Sequence, residues 1–296
     1  MNTRIVKINT GTLFFARSGG FSLVELMIAM TLGLFLIAGV GTVYMSSKKT
    51  YKLQGQTAEL DENARAAMRA LKQHIAHAGY ASSSGVVIDN YIIPGGTIIS
   101  GTPCADGASN INNTASIGTS VDGSGVAGDT IGLAFMADSS LAADCTGGVL
   151  RAECLPPAAP GFTSRLIYNS FSVGDSSINN SLNSAVPMLR CGGSLHSLRQ
   201  SWAQGVESIQ FLYGVDSDTD GAVENYWNAT TVASNAVWDK IISVQVGLLV
   251  RSVEPVFDSA RSETFQVLDE SITRNDRFQR GVYTTTVRLK NVARRM

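Results

Sequence analysis

Gly20-Phe21-Ser22-Leu23-Val24-Glu25-Leu26-Met27-Ile28-Ala29-Met30 decides the architecture of this chain, because it sets one carboxylate at the head of a membrane-length apolar run. From Leu26 to Ser47 no residue carries a formal charge. As a helix rising about 1.5 Å per residue, those positions reach about 33 Å, enough to cross a hydrocarbon core of roughly 30 Å. An acid placed near that depth costs on the order of 2.5 to 3.5 kcal/mol, so Glu25 is read as functional. A secretory signal peptide with Arg4, Lys7 and Arg17 as its basic region is the competing reading. Its apolar region would be about 7 to 15 residues long and end at a small-residue cleavage site, whereas this run is longer and begins with an acid. A plain membrane anchor with a chance glutamate is the third reading.

The segment resembles the class III signal of type IV prepilins: a short basic leader ending in glycine, then phenylalanine, with glutamate fifth after the cut. Gly20, Phe21 and Glu25 match in order and spacing. The resemblance implies cleavage between Gly20 and Phe21 by a prepilin peptidase, N-methylation of the new amino terminus at Phe21, and an assembly role for Glu25. Residues 1–20 are then a leader, 21–79 an N-terminal helix whose first half is transmembrane, and 80–296 a periplasmic or extracellular β-rich domain. The 296 residues suffice for one anchor helix and one domain of ordinary size. Loss of the leader's three basic residues takes the formal charge from -1 to -4. No basic nucleic-acid surface is indicated.

Cys104, Cys145, Cys154 and Cys191 all follow the apolar run. An even count in an exported domain reads as two disulfides, with three pairings open. Zinc is disfavoured because the sequence has no C-x-x-C pair and three histidines.

Past the apolar run, Leu60, Ala64, Ala67, Met68, Leu71, Ile75 and Ala78 recur at helical spacing, with Asp61, Glu62, Arg65, Arg69 and Lys72 between them. This predicts one helix from Phe21 to about Ala78, amphipathic in its second half, with Gly79 as its stop and Gly55 as a site of bending. The segment from Gly95 to Gly128 reads as loop. Strands are expected at Thr130–Met136, Arg165–Phe171, Val206–Tyr213, Ile241–Arg251 and Val282–Lys290. In the fourth, Ile242, Val244, Val246, Leu248 and Val250 alternate with polar neighbours, which predicts one buried and one wet face. The fold class is therefore α+β, a long N-terminal helix packed against an antiparallel sheet.

The segment Gly205-Val206-Glu207-Ser208-Ile209-Gln210-Phe211-Leu212-Tyr213-Gly214-Val215-Asp216 resembles a strand and turn of the PilW group of minor pilins. The ending Tyr283-Thr284-Thr285-Thr286-Val287-Arg288-Leu289-Lys290-Asn291 is similar to that group's last strand. What this implies is a structural subunit that helps initiate type IV pilus assembly and sits at or near the tip, supporting twitching motility or adhesion. Its implied partners are other minor pilins, the major pilin, the prepilin peptidase, the inner-membrane assembly platform and, before assembly, the lipid bilayer. A minor pseudopilin of a type II secretion system is the alternative, and a tip adhesin or DNA-uptake module a further one. No basic aromatic stripe recommends nucleic acid.

Asp216-Ser217-Asp218-Thr219-Asp220-Gly221 has the D-x-D-x-D-G form of a calcium loop, with alternate carboxylates converging and glycine at the sharp turn. Ala222 would offer its carbonyl and Glu224 stands ninth. The twelfth residue is Trp227 where an EF-hand has glutamate, so a full EF-hand is excluded and Asp239 enters as a candidate final ligand. The competing reading is a polar hairpin turn. His74 and His77 read as polar helix surface, and Trp202, Trp227 and Trp238 as sheet packing. No G-x-S-x-G elbow occurs and His196 has no triad neighbour, so no enzyme is expected.

Overall fold

The computed structural model describes residues 20–80, 91–97, 118–123, 127–138, 140–150, 152, 166–195 and 198–292. Two compact units are distinguished, Met1–Tyr51 and Lys52–Met296. Helix α1, Leu23–His77, contributes to both.

In the first unit α1 begins two residues after Phe21, with the Leu26 N–H donating to the Ser22 carbonyl at 3.1 Å. Glu25 lies in this first turn, where a negative charge complements the helix dipole. The large apolar side chains from Phe21 to Met45 are all exposed. The two threonine hydroxyls are satisfied inside the helix: Thr31 Oγ1 donates to Ile28 O at 2.9 Å and Thr42 Oγ1 to Gly39 O at 2.8 Å. Such a surface suits lipid or other apolar helices, since it presents carbon and leaves little hydrogen-bonding demand. α1 is the one helix among the described residues long and apolar enough to cross a membrane.

The second unit has two four-stranded antiparallel sheets and a two-stranded ribbon. Strands β1 (Ile131–Met136), β2 (Leu166–Asn179), β3 (Ala185–Gly193) and β4 (Gln200–Gln204) form one sheet in sequence order. β5 (Val206–Val215), β6 (Asn225–Trp227), β7 (Ile241–Arg251) and β10 (Arg280–Arg288) form the other, in the order β10-β7-β5-β6. β8 (Arg261–Val267) and β9 (Glu270–Asp276) make the ribbon. Leu60, Ala64, Ala67, Leu71 and Ile75 of α1 join one core with Phe171 and Leu189 of the first sheet and Phe211, Val246 and Val287 of the second. Polar ties reinforce it: Asn291 Nδ2 donates to Ala76 O at 3.0 Å, the Tyr283 hydroxyl to Asp61, and the Glu254 N–H to Gln56 Oε1 at 3.2 Å. α1 runs unbroken through Gly55 and stops where expected. Gly79 takes φ +76, a left-handed conformation that favours glycine, and its N–H donates to Ala134 O at 2.9 Å.

Three sequence expectations need correction. β7 has no wet face toward its end: Leu249 is fully buried with Val267 and Ile272 of the ribbon, and Arg251 is buried beside it. Gly247 permits this approach, since a Cβ there would stand 2.8 Å from Leu268 Cγ. At the other end of β7 the register shifts opposite Gly214 and Val215, so Ile241, and not Ile242, is fully buried. β2 also runs well beyond Phe171, to Asn179, and its partner β3 was not anticipated.

The described disulfide joins Cys145 to Cys191 on β3, with Cα atoms 6.2 Å apart. Of the three open pairings this excludes Cys145 with Cys104 or Cys154. Cys104 and Cys154 lie outside the described residues, as does His196.

Candidate functional site

The acidic loop Asp216–Glu224 joins β5 to β6, the edge strand of its sheet. Asp216 follows the last residue of β5 and Glu224 precedes the first of β6, so the two strands present the ends of the loop to one another. Asp216, Asp218, Asp220 and Glu224 each place a carboxylate oxygen so that all four lie within 4.8 Å of one another. The loop's backbone folds inward: Gly221 N–H donates to Asp216 Oδ2 at 2.8 Å, Ala222 N–H to Asp220 Oδ1 at 2.7 Å and Ser217 N–H to Glu224 Oε2 at 2.7 Å. Gly221 sits at φ +87, the turn the motif assigns to glycine, and Thr219 takes φ +67, uncommon for a β-branched residue. Asp218, Asp220 and Glu224 are exposed, whereas Asp216 is only 6% exposed. Asp239 is not a member of this cluster, and Glu224 supplies the fourth carboxylate.

Two cations from elsewhere in the chain hold the loop without being legible from its motif. Lys240 Nζ donates to Ser217 O at 2.8 Å, and an Arg288 nitrogen from the end of β10 donates to Gly221 O at 3.0 Å. The alternation of β10 does mark Arg288 as outward-facing. Nothing in the sequence says which loop it meets.

His74 departs from the polar-surface reading. Its ring lies 5.2 Å from that of Phe171 and 5.3 Å from that of Trp202, and its Nδ1 is 3.2 Å from Asn169 Nδ2. Burial, assisted by the neighbouring His77 and opposed by Asp144, pushes its pKa down to about 4. The ring is thus neutral near pH 7, and both it and His77 lie outside the cation cluster. Trp238 packs edge-on to Tyr213 at 5.4 Å, as sheet packing predicts.

A charged cluster that the sequence did not reveal surrounds Glu207, inside the quoted β5 segment. Glu207 Oε2 accepts from Arg280 Nε at 2.6 Å and Oε1 from Arg274 Nε at 3.0 Å, while Arg280 also pairs with Asp276. Burial would raise the Glu207 carboxyl, but Arg280 and Arg274 hold it below the usual range.

Residues 171–291 match the family model described as type IV pilus-assembly protein W, and residues 15–41 match the prokaryotic N-terminal methylation motif. The chain belongs to the PilW group of type IV pilus minor pilins. In this minor pilin the family match runs from within β2 to just past β10 and includes both the acidic loop and the Glu207 cluster. The methylation motif contains Gly20, Phe21 and Glu25. A type IV-like pilin from Thermus thermophilus is 12% identical, with a TM-score of 0.38, covering 80% of this chain and 96% of that one. No curated protein sequence matches the chain. The apolar first half of α1 and the prepilin motif fit membrane anchoring in this pilin.

Proposed function

We propose that this minor pilin is held in the inner membrane as a single-pass protein with its β-rich unit in the periplasm, loses residues 1–20, and enters the pilus. There it associates through α1 with other minor pilins and the major pilin, helps initiate assembly on the inner-membrane platform, and stands at or near the tip. The observation that carries this reading is the exposed apolar surface from Phe21 to Met45 with Glu25 as its acid. Such a surface exchanges lipid for neighbouring helices at little hydrogen-bonding cost. An acid four residues after a new amino terminus then pairs with the positive amine of a neighbouring subunit, where an unpaired charge would be costly.

Deletion of the gene, complemented with wild type or Glu25→Ala, tests the proposal. Loss of surface pili and twitching is expected, restored by wild type and not by Glu25→Ala. Cleavage after Gly20 should persist in the variant, because Gly20 and Phe21 are unchanged. Intact pili with lost exoprotein secretion would instead favour a type II secretion pseudopilin. Full restoration by Glu25→Ala would remove the pairing role.

A further inference from the structure

We infer that the Asp216–Glu224 loop is a calcium site that fastens the β5–β6 edge of the domain. Four carboxylates in one loop do not establish this, since exposed acids gather in turns without a metal. The deciding observation is Asp216. This side chain is 94% buried, Oδ2 takes the Gly221 N–H, and Oδ1 is sealed from solvent with no hydrogen-bond partner among the described residues. A buried carboxylate oxygen left without a donor is expensive, and a bound cation satisfies it as a hydrogen-bond donor would.

The dimensions fit. Calcium binds oxygen at about 2.3 to 2.6 Å, so two ligands on opposite sides of one ion stand about 4.6 to 5.2 Å apart. The four carboxylate oxygens fall within 4.8 Å of one another and so fit a single coordination sphere. Ala222, whose N–H is turned toward Asp220, is the residue whose carbonyl would add a neutral ligand, with water completing the six to eight oxygens calcium takes. Magnesium is disfavoured, because it usually takes only one or two carboxylates and keeps its water. Lys240 and Arg288 are engaged at the carbonyls of Ser217 and Gly221, which leaves the mutual repulsion of the four acids to the ion.

An ion here bridges residues that adjoin both strands of the hairpin, and the loop is itself tied to Lys240, the residue before β7, and to Arg288 at the end of β10. Calcium therefore orders one whole end of the sheet, including an edge strand of three residues that has little pairing of its own. Concentrations of order 0.1 to 1 mM, typical of extracellular modules, would fill such a site after export and not before it.

The full chain, purified in detergent, is titrated with calcium chloride by calorimetry and melted in calcium, magnesium or chelator. One calcium per chain is expected. At about 100 times Kd the ion stabilises by about 2.7 kcal/mol, a rise in melting temperature of roughly 5 to 10 °C. Asp218→Asn and Glu224→Gln alter exposed side chains, so both should remain folded in chelator while losing at least tenfold in affinity. An absence of binding heat and of any melting shift up to about 10 mM calcium, well above the range of extracellular sites, would overturn the proposal. So would calcium binding that both variants retain.

Discussion

Glu207→Ala should destabilise the domain by about 3 to 5 kcal/mol, the loss seen when one member of a buried ion pair is removed and its partner stranded. Glu207 is 8% and Arg280 9% exposed, and Arg274 and Arg251 stand close enough to act on the same carboxylate. Without Glu207, Arg280 keeps Asp276 while Arg274 loses its carboxylate partner. Melting should fall by roughly 10 °C, at about 2 to 4 °C per kcal/mol for a unit of this size. Glu207→Gln keeps the shape and loses the charge, and should fall nearly as far. The sign with pH follows from a carboxyl held below its ordinary range. The stabilisation is complete above the unfolded pKa and is lost as pH falls through the lower folded one, so wild type and variant converge in acid. A loss under about 1 kcal/mol at neutral pH, the worth of an exposed pair, would show that the cluster is not a structural centre.

Replacing both Cys145 and Cys191 by alanine should cost a similar amount. A bridge across a sequence separation of 46 residues restricts the unfolded chain by about 4 kcal/mol on the loop-entropy model. It also anchors a turn with unusually dense bonding. Asp144 Oδ1 accepts the N–H groups of Thr146 and Gly148, each at 3.0 Å, and Oδ2 that of Leu195 at 2.7 Å. The Cys145 N–H donates to Asn169 Oδ1 at 2.9 Å, and Trp202 Nε1 to the Cys145 carbonyl at 3.2 Å. Thermal denaturation of the double variant measures the loss. Alkylation of unreduced, denatured wild type should label none of the four cysteines, as an oxidising compartment demands. Two labelled thiols would defeat the two-disulfide reading.

The helix was legible because lipid-facing composition and a three- and four-residue apolar rhythm are local signals, and Gly79 ends that rhythm just where the left-handed turn falls. β5, β7 and β10 were legible from β-branched runs and alternation. β3 was hidden by Pro187 and Gly192-Gly193, which weaken strand propensity. Pro187 is accommodated opposite Asp175, where the register begins to shift, and its carbonyl still accepts the Gly205 N–H. The β8–β9 ribbon was hidden for another reason. Its turn is Leu268-Asp269, with Leu268 at φ +53, where a two-residue hairpin would ordinarily advertise itself with asparagine and glycine. Having missed the ribbon, alternation alone predicted solvent over Leu249. The acidic loop was visible because its ligands are adjacent in sequence. Lys240, Arg288 and the partners of Glu207 were not, since only the sheet order brings them there.

Processing as a prepilin and entry into a filament through the N-terminal helix leave a chain of defined mass in the pilus. Intact-mass analysis of the chain recovered from sheared pili tests this most directly. The predicted species begins at Phe21 with one N-methyl group and retains all of the apolar run. A mature terminus downstream of Met45, or absence of the chain from the pilus fraction while it accumulates elsewhere, would contradict the account.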